Sequence, residues 1–536
     1  MTATLTPQGV HSPLSSRRVV FHLGRFEALR TLRHPLTWVG AAGSAWMMWV
    51  LGGDVAPILE RDSVFLAGAM LPLAATTLLS ANYATLRQTR LPELLATQPS
   101  GTTAPVLGVQ LGVVSPVLLA VLLQAVGLAY LLLGDPVGSI AWSELAVGPL
   151  LVAVFGMGGV LLARGIRHPI IAPLFLVGLA VLQLLASPDA QIFSSEPTAN
   201  LEWLAPWMIP SSFAPIEDLA ARPSWLHLVY LIGLGLVLGS LAVPPKGRVR
   251  TARYFLVGFF AAGVVAGSVT LPSEPGRTFN WPEAAASQTC DTAADIEFCA
   301  FGFYADWIPR WQATVAAVDA LAPVSIDEVI QRPHNIGWDE DSGLPNGVRA
   351  LTTLEWDRPR ARPNQAFGLA LASAQSAVGL PTMPETRALT PEEIDSVIEQ
   401  NPGYPGDLRA QLESEGPQQQ DCSAIGQARI VVALWLAGAA LSNGAEVLQQ
   451  RLDEYPSAVT FIPPEPAHRS GVTIGRSDAE LALELLSLPP TEVHDELENR
   501  WGEAIDPVTP VVDLAAWFDL SVPDRPEIDF FQEPCH

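Results

Sequence analysis

The stretch APVLGVQLGVVSPVLLAVLLQAVGLAYLLL, residues 104–133, decides the fold class. It contains no Asp, Glu, Lys, Arg or His. A helix rises about 1.5 Å per residue, and about 20 apolar residues cross the hydrocarbon core of a bilayer. A water-soluble helix of this length would carry a polar face, and this one has none. Its 30 residues exceed one crossing, so it must tilt, kink near Ser115-Pro116, or begin as an interfacial segment.

Six further runs lack Asp, Glu, Lys and Arg: Leu36 to Gly53, Val64 to Ser80, Leu145 to Ala163, Pro169 to Ala186, Trp225 to Val243 and Tyr254 to Leu271. The expectation is a mainly α chain: a polytopic helical membrane domain of about seven spans, then a mostly helical extracytoplasmic domain. No cleavable signal peptide is evident, and the first run reads as a signal anchor. Charge divides the chain at the same place. Residues 1–271 carry 15 Lys and Arg against 12 Asp and Glu, and the remainder carry 15 against 42. So acidic a C-terminal region argues against nucleic-acid binding, which needs cations to displace counterions. With the N-terminus in the cytoplasm, 13 of the 15 basic residues of the membrane half fall on inside segments, and only Arg61 and Arg222 fall outside. Seven crossings then place the acidic domain outside. All four cysteines, Cys290, Cys299, Cys422 and Cys535, lie in that exported region. In an oxidising compartment an even count suggests disulfides. Of three possible pairings, Cys290 with Cys299 and Cys422 with Cys535 is favoured; four buried free thiols are the alternative.

Two segments mark the cytoplasmic edge. In Arg17 to Arg33 the apolar residues Val19, Leu23, Phe26 and Leu29 recur at helical spacing, flanked by Arg25, Arg30 and Arg33. A basic amphipathic helix of this kind lies in the interface and meets anionic lipid head groups. The loop after the second run contains Arg87, Arg90, Pro92, Glu93, Leu94 and Leu95. Pro at a first helical turn with Glu near the positive dipole end suits a short helix, and its leucines offer a docking patch.

The basic helix running into Arg33-His-Pro-Leu-Thr-Trp38 resembles the elbow helix of type-2 ABC transporter permeases. Arg87-Gln-Thr-Arg-Leu-Pro-Glu-Leu-Leu-Ala-Thr-Gln-Pro99 is similar to the segment that contacts the ATPase in actinobacterial members. The resemblance covers roughly residues 17–243. It implies an exporter subunit of the bacterial plasma membrane, driven by an ABC ATPase subunit in trans and paired with a second permease, as a homodimer or with another chain. Arg87, Arg90, Glu93, Leu94 and Leu95 would then carry the coupling, and Arg25, Phe26, Arg30 and Arg33 the elbow. The loop between the fifth and sixth spans, with Trp203 and Trp207 suited to an outer interface, corresponds to a region that often holds re-entrant helices in that family. The implied divisions are 1–35 for the arm and elbow, 36–243 for the six-span domain, 244–271 for a basic loop and seventh span, and 272–536 for the outer domain. The seventh span and the outer domain depart from the six-span pattern.

The sequence holds no phosphate-loop, His-Glu-x-x-His or Gly-x-Ser-x-Gly motif, so the expectation is no enzyme, cofactor or metal site of this chain's own. Within the runs His227 is the one titrating imidazole and reads as interfacial; Gln124 and Gln183 could bond between helices or line a path. In the outer domain, Asp306 to Leu321 reads as a helix and Ala424 to Leu441 as a buried central one. Short strands are expected at Val324 to Ile330 and Gly347 to Trp356. Capping boxes are expected at Thr390 to Glu393 and Ser477 to Glu480. Asp339 to Gly343 resembles only the front of a calcium loop and reads as a solvated turn. The alternative to the exporter is a membrane-anchored extracytoplasmic ligand-binding or sensory protein.

Overall fold

A computed structural model of the 536-residue chain describes residues 16–51, 56–89, 103–134, 136–185, 224–243, 248–270, 288–331, 349–352, 364–381, 385–387, 418–464, 471–523 and 534–535, with a few single positions between them. The chain divides into two compact units, Met1–Gly53 with Pro57–Arg277 and Asp54–Ala56 with Thr278–His536. The segments around Trp203 and Trp207, Asp339 to Gly343 and Thr390 lie outside the described residues.

The first unit is a multi-pass membrane domain. Its described helices are α1 (Ser16–Arg33), α2 (Pro35–Leu51), α3 (Leu59–Gly68), α4 (Leu71–Thr89), α5 (Thr103–Gly112), α6 (Val114–Leu132), α7 (Trp142–Gly165), α8 (Ile171–Leu185), α9 (Ser224–Ala242) and α10 (Arg248–Thr270). Four helical stretches among the described residues are long and apolar enough to cross a membrane: Leu59–Gln88, Thr103–Leu132, Trp142–Gly165 and Ser224–Ala242. Large apolar side chains face outward, among them Trp38, Trp46 and Trp49 of α2, Leu118, Leu122 and Val126 of α6, and Phe255 and Phe259 of α10. That much exposed hydrocarbon is the surface of a protein solvated by lipid.

The long run 104–133 breaks where α5 gives way to α6, at Val113. Pro116 has no N–H to give the Gly112 carbonyl, which would otherwise lose its helical partner. The Ser115 hydroxyl lies 2.9 Å from that oxygen and supplies a donor in its place. At the heart of the bundle α4 and α7 cross closely, and Met70, Leu73, Leu78, Leu151, Val152 and Leu231 are buried together. Gly159 permits the crossing, because a Cβ there would strike the carbonyl oxygen of Leu78. Among the described residues, three amides tie helices across the bundle. Asn82 donates to Gly159 O at 3.2 Å, Gln110 to Gly239 O at 2.8 Å, and Gln124 to Leu66 O at 3.3 Å. Gln124 is therefore a buried interhelical link; the side chain of Gln183 is outside the described residues.

The apolar runs understate the helices at one end of the bundle. The second run was expected from Val64, but its helix begins at Leu59 and takes in Glu60, Arg61 and Asp62. The Asp62 carboxylate accepts the Ile58 N–H at 3.0 Å, and Glu60 accepts from the backbone and hydroxyl of Ser139. Likewise α7 begins at Trp142, so Glu144 lies in its first turn, 4% exposed. Asp62 thus satisfies an N–H at the start of its own helix, a role that hydropathy does not register.

The second unit mixes helices and short strands. A four-stranded sheet runs β1 (Gln288–Ala293), β2 (Ile296–Phe301), β3 (Glu328–Gln331), β4 (Arg349–Thr352). β1 and β2 form an antiparallel hairpin in which Cys290 faces Cys299, and β2–β3 and β3–β4 are parallel. The hairpin loop is Ala294 and Asp295, both left-handed at φ 52° and 67°, the twist that two-residue hairpins favour. The connection from β2 to β3 is a 3₁₀ turn, Gly302–Trp307, and α11 (Ile308–Asp319), whose Trp311, Val315 and Val318 are fully buried with Trp307. The Gln331 side chain accepts the Phe301 N–H at 2.9 Å. Next come α12 (Asn364–Ala377) and a two-stranded pair, β5 (Glu385–Arg387) with β6 (Gln418–Gln420). α13 (Ala428–Ala439) is apolar but for Arg429 and is buried, the expected central helix. It is surrounded by α12, α14 (Gly444–Glu454), α15 (Arg476–Leu486) and, past α16 (Pro490–Asn499) and α17 (Trp501–Ala504), α18 (Val511–Trp517). β9 (Val472–Gly475) pairs with β7 (Cys422–Ser423) and β8 (Thr460–Phe461). α15 corrects the expected capping box: it starts at Arg476, Ser477 is inside it, and no side chain caps it. The buried Asp478 carboxylate instead accepts the Gly426 N–H at 3.0 Å, tying α15 to the turn before α13.

All four cysteines are paired, Cys290 with Cys299 and Cys422 with Cys535. The second bond holds the chain's end against α13. Arg429, 2% exposed, donates to Cys535 O at 2.6 Å, Gly379 O at 3.2 Å and Gln427 Oε1 at 2.7 Å. Burial lowers its guanidinium from the ordinary value, and Asp506 opposes that shift.

Candidate functional site

Arg87, the one candidate coupling residue among those described, sits where α1 meets the end of α4. α1 lies on α5 along a seam of small residues. A Cβ on Gly24 would come within 2.7 Å of Leu111 Cβ, and one on Gly108 within 2.9 Å of Leu23 Cβ. Gly108 and Gly112 share a face one turn apart, the small-xxx-small spacing that lets helix backbones approach in a membrane. The Ser115 hydroxyl also lies 3.0 Å from Ala28 O, so the break between α5 and α6 is made against α1.

The inward stripe of α1 is Gly24, Glu27, Ala28 and Thr31, spaced as one helical face. This divides the apolar set expected from sequence. Leu23 packs toward α5, while Phe26 and Leu29 point outward, 58% and 47% exposed. The physical reason is that close backbone approach, not side-chain apolarity, selects the buried face. Arg25, Phe26, Arg30 and Arg33 are all on the exposed surface of α1.

Glu27 is 5% exposed, and its carboxylate accepts two bonds from Arg87 Nη2, at 2.9 and 3.2 Å. Gln88 Nε2 lies 3.4 Å from the same group. Arg87 is thus engaged within the chain, at the last turn of α4. Arg90, Glu93, Leu94 and Leu95 follow directly in sequence and lie outside the described residues. No family model, curated protein or solved structure matches the chain. The site therefore has to be read from its own chemistry.

Sequence reasoning missed Glu27. The signal was present, a single acid in a helix with five arginines, Arg17 to Arg33; a buried acid on the inner stripe of a cationic helix needs a cation opposite. His227, expected at the interface, lies near the start of α9 and is 2% exposed, with its ring 5.9 Å from that of Tyr230. Among the described residues two clusters carry ligand-type side chains. Cys290 and Cys299 lie with Glu297, but their sulfurs are bonded to each other. His494, Asp495 and Glu498 gather on the solvent side of α16, an arrangement common on acidic surfaces without an ion.

Proposed function

We propose that the chain is the transmembrane subunit of an ABC-type exporter, driven by an ATPase in trans and paired with a second permease subunit, in the simplest case a copy of itself. On this reading the membrane domain crosses seven times, α2, α8 and α10 joining the four long stretches. The N-terminus is cytoplasmic and the acidic unit faces the outside. The observation that carries the proposal is the basic helix α1, seated on the membrane bundle and ion-paired to the last turn of α4, immediately ahead of the Arg87–Pro99 stretch. A rigid helix at that place gives a partner something to push against, and ATP-driven closure of the partner would bias a two-state bundle. The alternative, a membrane-anchored sensory or ligand-binding protein, places the chemistry in the outer unit and needs no partner on α1.

Affinity purification of the tagged full-length chain from its own membranes decides between them. The exporter reading expects an ATPase with a phosphate loop to co-purify, and Glu93→Arg or Leu94→Arg to reduce its recovery at least tenfold. Purification without any ATPase, together with unchanged behaviour of those variants, would sink it.

A further inference from the structure

α1 could be a helix that merely floats at the membrane surface. The contacts at Glu27 argue otherwise. Its carboxylate is buried against the bundle, and a buried charge is tolerated only where it is paired and hydrogen-bonded. The pairing is bidentate from one guanidinium nitrogen, with Gln88 alongside. The glycine seam fixes how near α1 can come to α5, and the Ser115 hydroxyl adds a contact at Ala28 O, but neither holds α1 to α4, which leaves those two helices free to shift against each other. A charge pair at one point of the seam removes that freedom, the way a single buried polar contact sets register in a coiled coil. Arg87 and Gln88 belong to the last turn of α4, whose upper part is locked to α7 at Gly159.

We infer that Glu27 is a positioning residue: through Arg87 and Gln88 it clamps α1 to the end of α4, so that the two move as one body. Resting on the exporter reading, this makes α1 the lever through which force applied beyond Thr89 enters the membrane bundle, and makes Arg87 an internal strut and not a contact for the partner.

The four native cysteines are all in disulfides, so two introduced ones are the free thiols for spin labels. Phe21→Cys on α1 and Tyr83→Cys on α4 are exposed positions, 66% and 40%. Electron–electron double resonance on the full chain in lipid nanodiscs should give a single narrow distance between them. Glu27→Gln and Arg87→Gln should each widen that distribution at least twofold. The double variant should widen it no further than either single one, the signature of a shared interaction. Arg87→Lys keeps the charge but replaces the guanidinium with a more flexible ammonium, so it should fold and give an intermediate width. A distribution in Glu27→Gln as narrow as in the parent overturns the clamp, because the seam alone would then hold α1. The second arm uses the complex with whatever ATPase co-purifies. Adding a non-hydrolysable ATP analogue should leave the Phe21–Tyr83 distance unchanged in the parent and shift it in Glu27→Gln. A nucleotide-dependent shift in the parent also overturns the clamp. If no ATPase is recruited, the exporter reading fails, while the first arm still decides the clamp.

Discussion

At Gly159 and Ala294 backbone geometry dictates what a side chain can be. At Gly159 the closest point of the α4–α7 crossing is a carbonyl oxygen, which cannot rotate away as a side chain could. Gly159→Leu should therefore force the helices apart and cost about 1–3 kcal/mol, as overpacking does in other cores. A purified variant whose thermal midpoint matches the parent would disprove the close crossing. Ala294 presents the opposite case. It holds a left-handed φ without being glycine, at a cost of about 1–2 kcal/mol for an L-residue. Ala294→Gly should raise the midpoint of the outer unit, read by its near-ultraviolet circular dichroism, and a lower midpoint would contradict the strained hairpin. Neither position announces itself in the sequence, because one is a glycine among 42 and the other an alanine.

At the scale of elements, polar atoms organise what hydropathy located. The apolar run 104–133 was legible as membrane helix, and its Ser115-Pro116 pair as a place to kink. That the break closes on Ala28 of α1 was not, since nothing in either segment names the other. The same holds for α1. Its basic, helical character was readable, yet the buried stripe is Gly-Glu-Ala-Thr, which no hydrophobic pattern selects. In the outer unit α13, apolar but for Arg429, was expected to be central, and it is, because so apolar a helix, too short to span, must bury its surface against other elements. The disulfide Cys422–Cys535 joins residues 113 apart and ties Cys535 to β7, just ahead of that helix. Cross-links closing loops of that size restrict the unfolded chain, and losing one typically costs about 2–5 kcal/mol. Cys422→Ser with Cys535→Ser should lower the denaturant midpoint of the full chain accordingly. Breaking the pair 9 residues apart, Cys290–Cys299, should cost less. Equal losses would show that loop length is not what matters.

For the whole molecule the open quantity is the direction of insertion. The proposal puts the acidic unit outside, where its disulfides persist. Cys290 is exposed on the edge strand β1, so mild reduction of intact cells followed by a membrane-impermeant maleimide should label it. Labelling that requires lysis would invert the topology, and with it the exporter reading of α1 and α4.

Composition and periodicity alone determined that this is a membrane protein with a charged, cysteine-bearing domain after it, because bilayer thickness and water impose lengths and polarities that any sequence must declare locally. Tertiary structure decided which faces meet. The seam of Gly24, Gly108 and Gly112, the burial of Glu27 against Arg87, and the binding of the chain end by Arg429 all join segments distant in sequence. Such contacts depend on where two backbones come together in space, and one-dimensional patterns of hydropathy and charge carry no term for that.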